Sequence, residues 1–340
     1  MIPFVRQMTF AYGESAQVSP LIRRVVANNP SLMTGPGTNT YLVGIDEVAV
    51  IDPGPDAAKH IESIVGAAMR DRVKWVLLTH THPDHWPAAA RIRKKTGAVV
   101  GAFGKFPKAD EVDLELDLVL NDGDTIDGTE FRLEAVHTPG HAPNHLCFFL
   151  DEERTLFTGD HVLNGTTTVV NPLRGGDMIE YLASLERLRK IRRVARICPG
   201  HGDVMDEPAA VLEEYVAHRK QRERQIMRLL AKGPAKISDV VGTLYVDTPE
   251  GLLEMAGHQV HAHLLKLKTE GKVTGTGPKS AWPPRSGSGR AGFGCGQLGC
   301  SQPAASRSSA RRSTTGTIGR LSGPQVRRPV DRISSTPRGT

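Results

Sequence analysis

The chain has 340 residues, 39% of them hydrophobic, which is enough for one large folded domain and a smaller one attached to it. It holds no run of about eighteen apolar residues that would cross a membrane as a helix, no signal-peptide start in MIPFVRQMTFAYGESAQ, and no CxxC pair or disulfide framework among its four cysteines, so a soluble cytoplasmic protein is expected. The formal net charge of +6 would suit nucleic acid, but it is uneven: residues 278–340 carry one Lys and ten Arg against Asp331 alone, while the rest has 32 basic and 36 acidic residues.

In chain order, TNTYLVG and EVAVIDPG read as β-strands, the second closed by Pro53-Gly54. DAAKHIESIVGAAMR has helical spacing at Ile61, Ile64, Val65 and Ala68. VKWVLLT is a short buried strand, Pro87 opens a helix that Gly97 caps, and GAVVGAF is the next strand. DTIDGTEFRLEAVHTPG and HLCFFLDEERTLFTGD read as hairpins, MIEYLASLERLRK as an amphipathic helix, ARICPG as a last strand, and residues 208–230 as a long helix. Mixed elements with antiparallel pairs predict an α+β fold of packed sheets covered by helices. ISDVVGTLY and EGLLEMAGHQVHAHLLKLKTEGKV read as helices ending in a wing-like GKVTGT. The expected domains are 1–230, 231–277 and a Gly/Ser/Pro/Arg-rich tail over 278–340. That tail cannot bury enough apolar surface to offset chain entropy, so it is expected to be disordered, either as a non-specific RNA-binding arm or as an inert extension.

The chemistry sits where apolar runs stop. LLTH ends at His80 and leads into His82, Asp84 and His85; AVHTPGH ends at His141, TLFTGD at Asp160 and RICPGH at His201. If these strand ends share one edge of the sheets, five histidines and two aspartates meet there. Imidazole and carboxylate suit Zn²⁺, with Mn²⁺ and Fe also served by the same donors. The tight His80-x-His82-x-Asp84-His85 loop cannot bring four side chains to one ion without strain but can divide them between two. His80, His82 and His141 would hold one metal, Asp84, His85 and His201 the other, with Asp160 as bridge. Two cations would lower the pKa of a shared water and yield hydroxide near neutral pH. Asp84 and Asp160 are the expected catalytic residues. Asp52, ending VAVID, is placed to hydrogen-bond a ligand histidine from behind. His145 is a candidate substrate contact or a second-layer group; His137, His161 and Asp203 read as packing or loop residues, and Cys147 and Cys198 as core.

Asp52, THTHPDH, TPGH, TGD and PGHGD together resemble the metallo-β-lactamase-fold hydrolases. GPGTNTYLVG, NGTTTVV, YLASLERL, YVAHRKQRERQI and TPEGLLEMAGHQVHAHLLKLKTEGKV look like the beta-lactamase-like protein 2 branch, related to glyoxalase II, over about residues 30–273. The resemblance implies a four-layer αββα sandwich with a dinuclear metal site at one edge, then a small winged-helix-like domain. Two departures stand out: Trp86-Pro87-Ala88 replaces the usual small residues, which would reshape the pocket mouth, and Ala142 replaces a hydroxyl residue.

The leading expectation is hydrolysis of phosphodiester bonds in single-stranded RNA, with Lys266, Lys268 and Lys272 as substrate contacts and Arg219, Lys220, Arg222 and Arg224 of the preceding helix beside them. The alternative is a glyoxalase II-like thioesterase or other acyl hydrolase acting on a small ester or thioester. A β-lactam substrate is less expected. A third class is a nucleic-acid-binding protein with a structural metal, against which the open coordination positions argue.

Overall fold

In a computed structural model, residues 8–285 are described, apart from 69–71, 105–106 and 108–111. Among the described residues twelve strands form two sheets. The first runs β1 (Ser15–Ser19), β2 (Ile22–Val26), β3 (Asn39–Val43), β4 (Val48–Ile51), β5 (Val73–Leu77), β6 (Val99–Phe103) and β7 (Leu118–Leu120), antiparallel as far as β4 and parallel thereafter. The second is ordered β12 (Arg196–Pro199), β11 (Thr155–Gly159), β10 (Leu146–Leu150), β9 (Arg132–His137), β8 (Thr125–Asp127), with β11 and β12 parallel and the others antiparallel.

The period of two along the strands builds the layers. In β3, Tyr41 and Val43 point to the second sheet, where they meet Phe148, Phe157 and Leu133, while Leu42 points the other way. That outer face is covered by α1 (Ala58–Ala68) and α2 (Ala89–Thr96), through Ile61, Ile64 and Ile92. The outer face of the second sheet is covered by α3 (Met178–Leu188) and α4 (Pro208–Leu230), through Tyr181, Leu185, Leu212 and Tyr215. The result is the four-layer αββα arrangement. Asp177 starts α3 by accepting from the backbone N–H groups of Ile179 and Glu180 at 2.6 and 3.0 Å. Gly97 ends α2 in the left-handed region, as expected. Strands β1, β2 and β7 had no clear sequence signal: β1 is largely exposed and β7 is three residues long.

The C-terminal module departs from its expected boundaries at both ends. Ile226 and Leu230 of α4 pack with α5 (Ile237–Leu244) and α6 (Leu253–Thr269), so one helix serves both cores. At the other end, Trp282 is fully buried in this same cluster, its N–H donating to Ala235 at 2.9 Å. Thr274 donates to Pro283 and Arg285 to Lys272, each at 3.0 Å. The wing is therefore closed by residues 282–285, which the expected boundary at 277 assigned to the tail. An isolated tryptophan in a Gly/Pro-rich stretch gives no periodic signal, yet its burial is worth several kcal/mol. The tail expected to be disordered lies, from residue 286 on, outside the described residues. No helix among the described residues is long and apolar enough to cross a membrane.

Candidate metal centre

Strands β4 and β5 are parallel neighbours, so Asp52 after β4 and Thr79-His80 after β5 emerge side by side. In the second sheet β9, β11 and β12 run in one direction and deliver His141, Asp160 and His201 to the same edge. The two edges are tied where Asn39 N–H donates to Gly200 at 2.8 Å. Gly200 is required there: a Cβ would lie 2.7 Å from Asp160 Oδ1.

Two groups of side chains result, one of His80, His82, His141 and Asp160, the other of Asp84, His85 and His201. Within each group one donor atom per residue lies within 4.8 Å of all the others. Asp160 stands between the groups, with Oδ2 3.7 Å from His141 Nε2 and Oδ1 3.4 and 3.3 Å from His85 and His201 Nε2. Asp84 Oδ2 is 3.1 Å from His201 Nε2.

The atoms behind these side chains fix which nitrogen faces inward. His85 Nδ1 lies 2.9 Å from Asp52 Oδ2 and His141 Nδ1 2.6 Å from the Val169 carbonyl, so both nitrogens carry hydrogen and both Nε2 atoms face the site. His201 Nδ1 is 3.2 Å from the Gly37 carbonyl. The Thr79 hydroxyl donates to Asp52 at 2.7 Å and so accepts from His80 Nδ1 at 3.0 Å. Asp52 thus orients two histidines, one directly and one through Thr79, a residue that sequence reasoning passed over. With these protons placed, His80 Nε2 and His141 Nε2 both turn lone pairs toward His82 Nδ1, at 3.0 and 2.9 Å. One hydrogen on His82 Nδ1 can serve only one of these lone pairs well, whereas a cation among the three nitrogens would serve them all. His85 Nε2 and Asp160 Oδ1 are also buried without a hydrogen-bond partner. Both observations fit a pair of bound metal ions.

The electrostatics agree. Burial, with the neighbouring histidines, holds His80 and His141 below the usual histidine range and takes His82 to about 3, leaving neutral ligands. Burial opposes charge on His85 and His201 too, but for His85 the Asp84, Asp160 and Asp52 carboxylates outweigh it, and for His201 Asp160 and Asp84 push it up to about 10. In the metal-free chain protons on these two rings offset the carboxylates.

The remaining expectations divide. His145, expected as a substrate contact or a second-layer group, does not line the cleft: it is fully buried, bonds Thr138 through Nδ1 at 2.9 Å and stacks beneath His80 at 5.1 Å. His161 is buried beside Tyr181, Asp203 pairs with Arg24, and His137 bonds the Pro143 carbonyl, all structural as expected. Cys147 and Cys198 are buried free thiols. Trp86 packs against the core beneath α1 and α2 and does not line the cleft. Ala142 is buried.

A cleft of about 1480 Å³ opens from His82, Asp84, His141, Asp160 and His201 toward the C-terminal module. Its other walls come from residues 8–10, the loop 31–36, Pro55, the segment from Leu163 to Arg174, His218, Arg219 and Arg222 of α4, and the segment from Tyr245 to Gln259. Lys266, Lys268 and Lys272 do not line it. Lys266 is held by Glu223 and Glu270, each at 2.6 Å, and Lys272 by Glu270 at 2.7 Å, so their charge is already neutralised. Glu270 stands at helical spacing from Lys266, but Glu223 comes from α4 and nothing local reveals it.

Residues 33–201 match the metallo-beta-lactamase superfamily and residues 237–282 the beta-lactamase associated winged helix domain. A beta-lactamase-like protein 2 homolog of Drosophila melanogaster is 36% identical over 267 residues, 74% of this chain and 88% of its own. An atrochrysone carboxyl ACP thioesterase of Aspergillus chevalieri is 33% identical, over 76% of this chain and 84% of its own. A beta-lactamase domain protein from Burkholderia ambifaria superposes with a TM-score of 0.70 at 20% identity, covering 83% of this chain and 97% of that one, which speaks to fold alone.

Proposed function

The chain belongs to the metallo-beta-lactamase superfamily and is a metal-dependent hydrolase, and from that premise we propose that its substrate is an acyl thioester. One observation carries this reading over RNA cleavage. The cleft is lined by the apolar Phe10, Leu32, Met33, Leu252 and Met255, and of its arginines, Arg174, Arg219 and Arg222, Arg219 is buried, whereas none of the lysines expected to meet phosphates lines it and Lys266 and Lys272 are paired with glutamates. An apolar trough suits an acyl chain; a polyanionic strand needs exposed cations along its path. The thioesterase among the relatives, whose name specifies an ACP-bound acyl group, supports the same choice.

In this reading His80, His82 and His141 would hold one ion and Asp84, His85 and His201 the other, with Asp160 between them. Bound there, the ions supply Lewis acidity and bring the pKa of water to near neutral. Asp52 keeps His85 and, through Thr79, His80 in their ligating tautomers. Asp84, on the cleft floor, is placed to hold the proton that water gives up and to pass it to the departing thiolate. Hydroxyl then ends on the acyl carbon and hydrogen on sulfur.

The test is a parallel assay of metal-loaded protein on an acyl thioester, single-stranded RNA and a chromogenic β-lactam. Thioester turnover that stops with chelator and returns with metal is expected. RNA cleavage without thioester turnover would overturn the proposal.

A further inference from the structure

The cleft is larger than the few hundred to about 1000 Å³ that encloses a drug-sized ligand, and the wall that α4 contributes is chemically different from the rest. There α4 presents Arg222, with His218 and Arg219 beside it. The Arg222 guanidinium lies 4.1 Å over the Tyr245 ring and donates to the Leu244 carbonyl at 3.0 Å; it makes no other hydrogen bond to a described residue. Stacked on one face and anchored by one nitrogen, it keeps other N–H donors of its planar fork for a ligand. Arg219 is buried, with one nitrogen on the Thr168 carbonyl at 2.6 Å and its guanidinium 5.1 Å from the Tyr181 ring centre. Among the described residues no carboxylate pairs with either arginine. Asp247, the carboxylate lining this end, is exposed and bonds neither. Burial and the two arginines bring His218 to about 4, so it adds no charge of its own but registers the positive field. An uncompensated, partly desolvated guanidinium in a binding cleft is built for an anion.

We infer that Arg222 is an anion anchor, binding the phosphate of a phosphopantetheine thioester whose acyl chain lies along the apolar wall and whose carbonyl reaches the metal site. The anion belongs to the leaving group because the other wall, Phe10, Leu32 and Met33, offers the acyl part no charged partner. Arg219 acts as a positioning residue that raises the local potential. This rests on the thioesterase reading. Phosphopantetheine is common to coenzyme A and to carrier proteins, so both sources are tested.

The full-length, metal-loaded protein is assayed with one acyl group on pantetheine, on coenzyme A and on a carrier protein. Binding of phosphopantetheine and of pantetheine is measured by calorimetry. At least one phosphate-bearing substrate should exceed acyl-pantetheine in kcat/KM by about 10- to 100-fold, chiefly through KM, the range expected for a charge-assisted bond. Which one does so identifies the source. Phosphopantetheine should bind more tightly than pantetheine by a similar factor. In Arg222→Ala both ratios should collapse toward one, and Arg222→Lys should restore part of each. Equal values for phosphorylated and unphosphorylated ligands in the native protein, or ratios unchanged in Arg222→Ala, would overturn the anchor. If no thioester turns over while the binding ratios behave as stated, the anchor stands and the reaction assignment fails. If RNA is cleaved instead, and Arg222→Ala weakens that cleavage, the anchored phosphate belongs to a polynucleotide and the inference falls.

Discussion

The two ends of the cleft are built in opposite ways. At the metal end, seven residues come from the turns that follow four strands, each within a few positions of an apolar run, and the sheets alone bring them together. At the far end, residues 8–10, the loop 31–36, α4 and the segment before α6 meet only through packing between distant parts of the chain. Leu32 approaches the C-terminal module so closely that a Cβ on Gly251 would lie 3.0 Å from it. The metal-ligating groups are held by local motifs at the abutting edges of the two sheets, and the recognition proposed above falls to loops and helices that can vary without disturbing them.

The sharpest way to break this comparison is at its metal end. Asp160→Ala should lower turnover at least about a hundredfold, because it strips the carboxylate that stands between the two groups, and at least one metal equivalent should leave with it. Near-native activity would place the bridge elsewhere. Asp52→Ala should act one step removed, reducing metal affinity by about 10- to 100-fold, since His85 loses its acceptor and the Thr79 hydroxyl that accepts from His80 loses the carboxylate that orients it. Metal competition titrations read this directly.

In the core of the C-terminal module the expected damage is to folding. Trp282→Ala should cost about 3–5 kcal/mol in a denaturant titration, whereas a stop after residue 285 should leave the unfolding midpoint unchanged. A truncation at 277 that remained equally stable would contradict the role of Trp282. Loading the metal-free protein at pH 7 should release protons. Burial acts to lower His201, but Asp160 and Asp84 push it up to about 10, so its ring is protonated at neutral pH and competes with metal. Affinity should therefore climb as pH rises toward 10. Calorimetric heats that do not depend on the buffer would deny that release. The smallest effect belongs to Lys268→Ala, which should change stability by under about 0.5 kcal/mol and leave substrate KM as it was.

How much of this was legible in the sequence follows the same division. Strand-end motifs named the seven residues of the metal end and Asp52 behind them, because chemistry and turn geometry are both encoded within a few residues. The first sheet's β1 and β2, the sharing of α4 between two cores and the burial of Trp282 were not legible, since each depends on partners far along the chain. Lys266 and Lys272 show the same division: Glu270 beside them is local, while Glu223 sits 43 residues before Lys266 and nothing local announces that pair. Arg219 and Arg222 were singled out as charges on a helix, but only the fold puts them in the cleft with Tyr245.

The central claim is that one sheet edge holds two ions in two ligand groups joined by Asp160. Elemental analysis of the purified chain after saturating metal loading and removal of excess tests it most directly. The account predicts two equivalents per chain, falling in Asp160→Ala; a content that never exceeds one equivalent would contradict it.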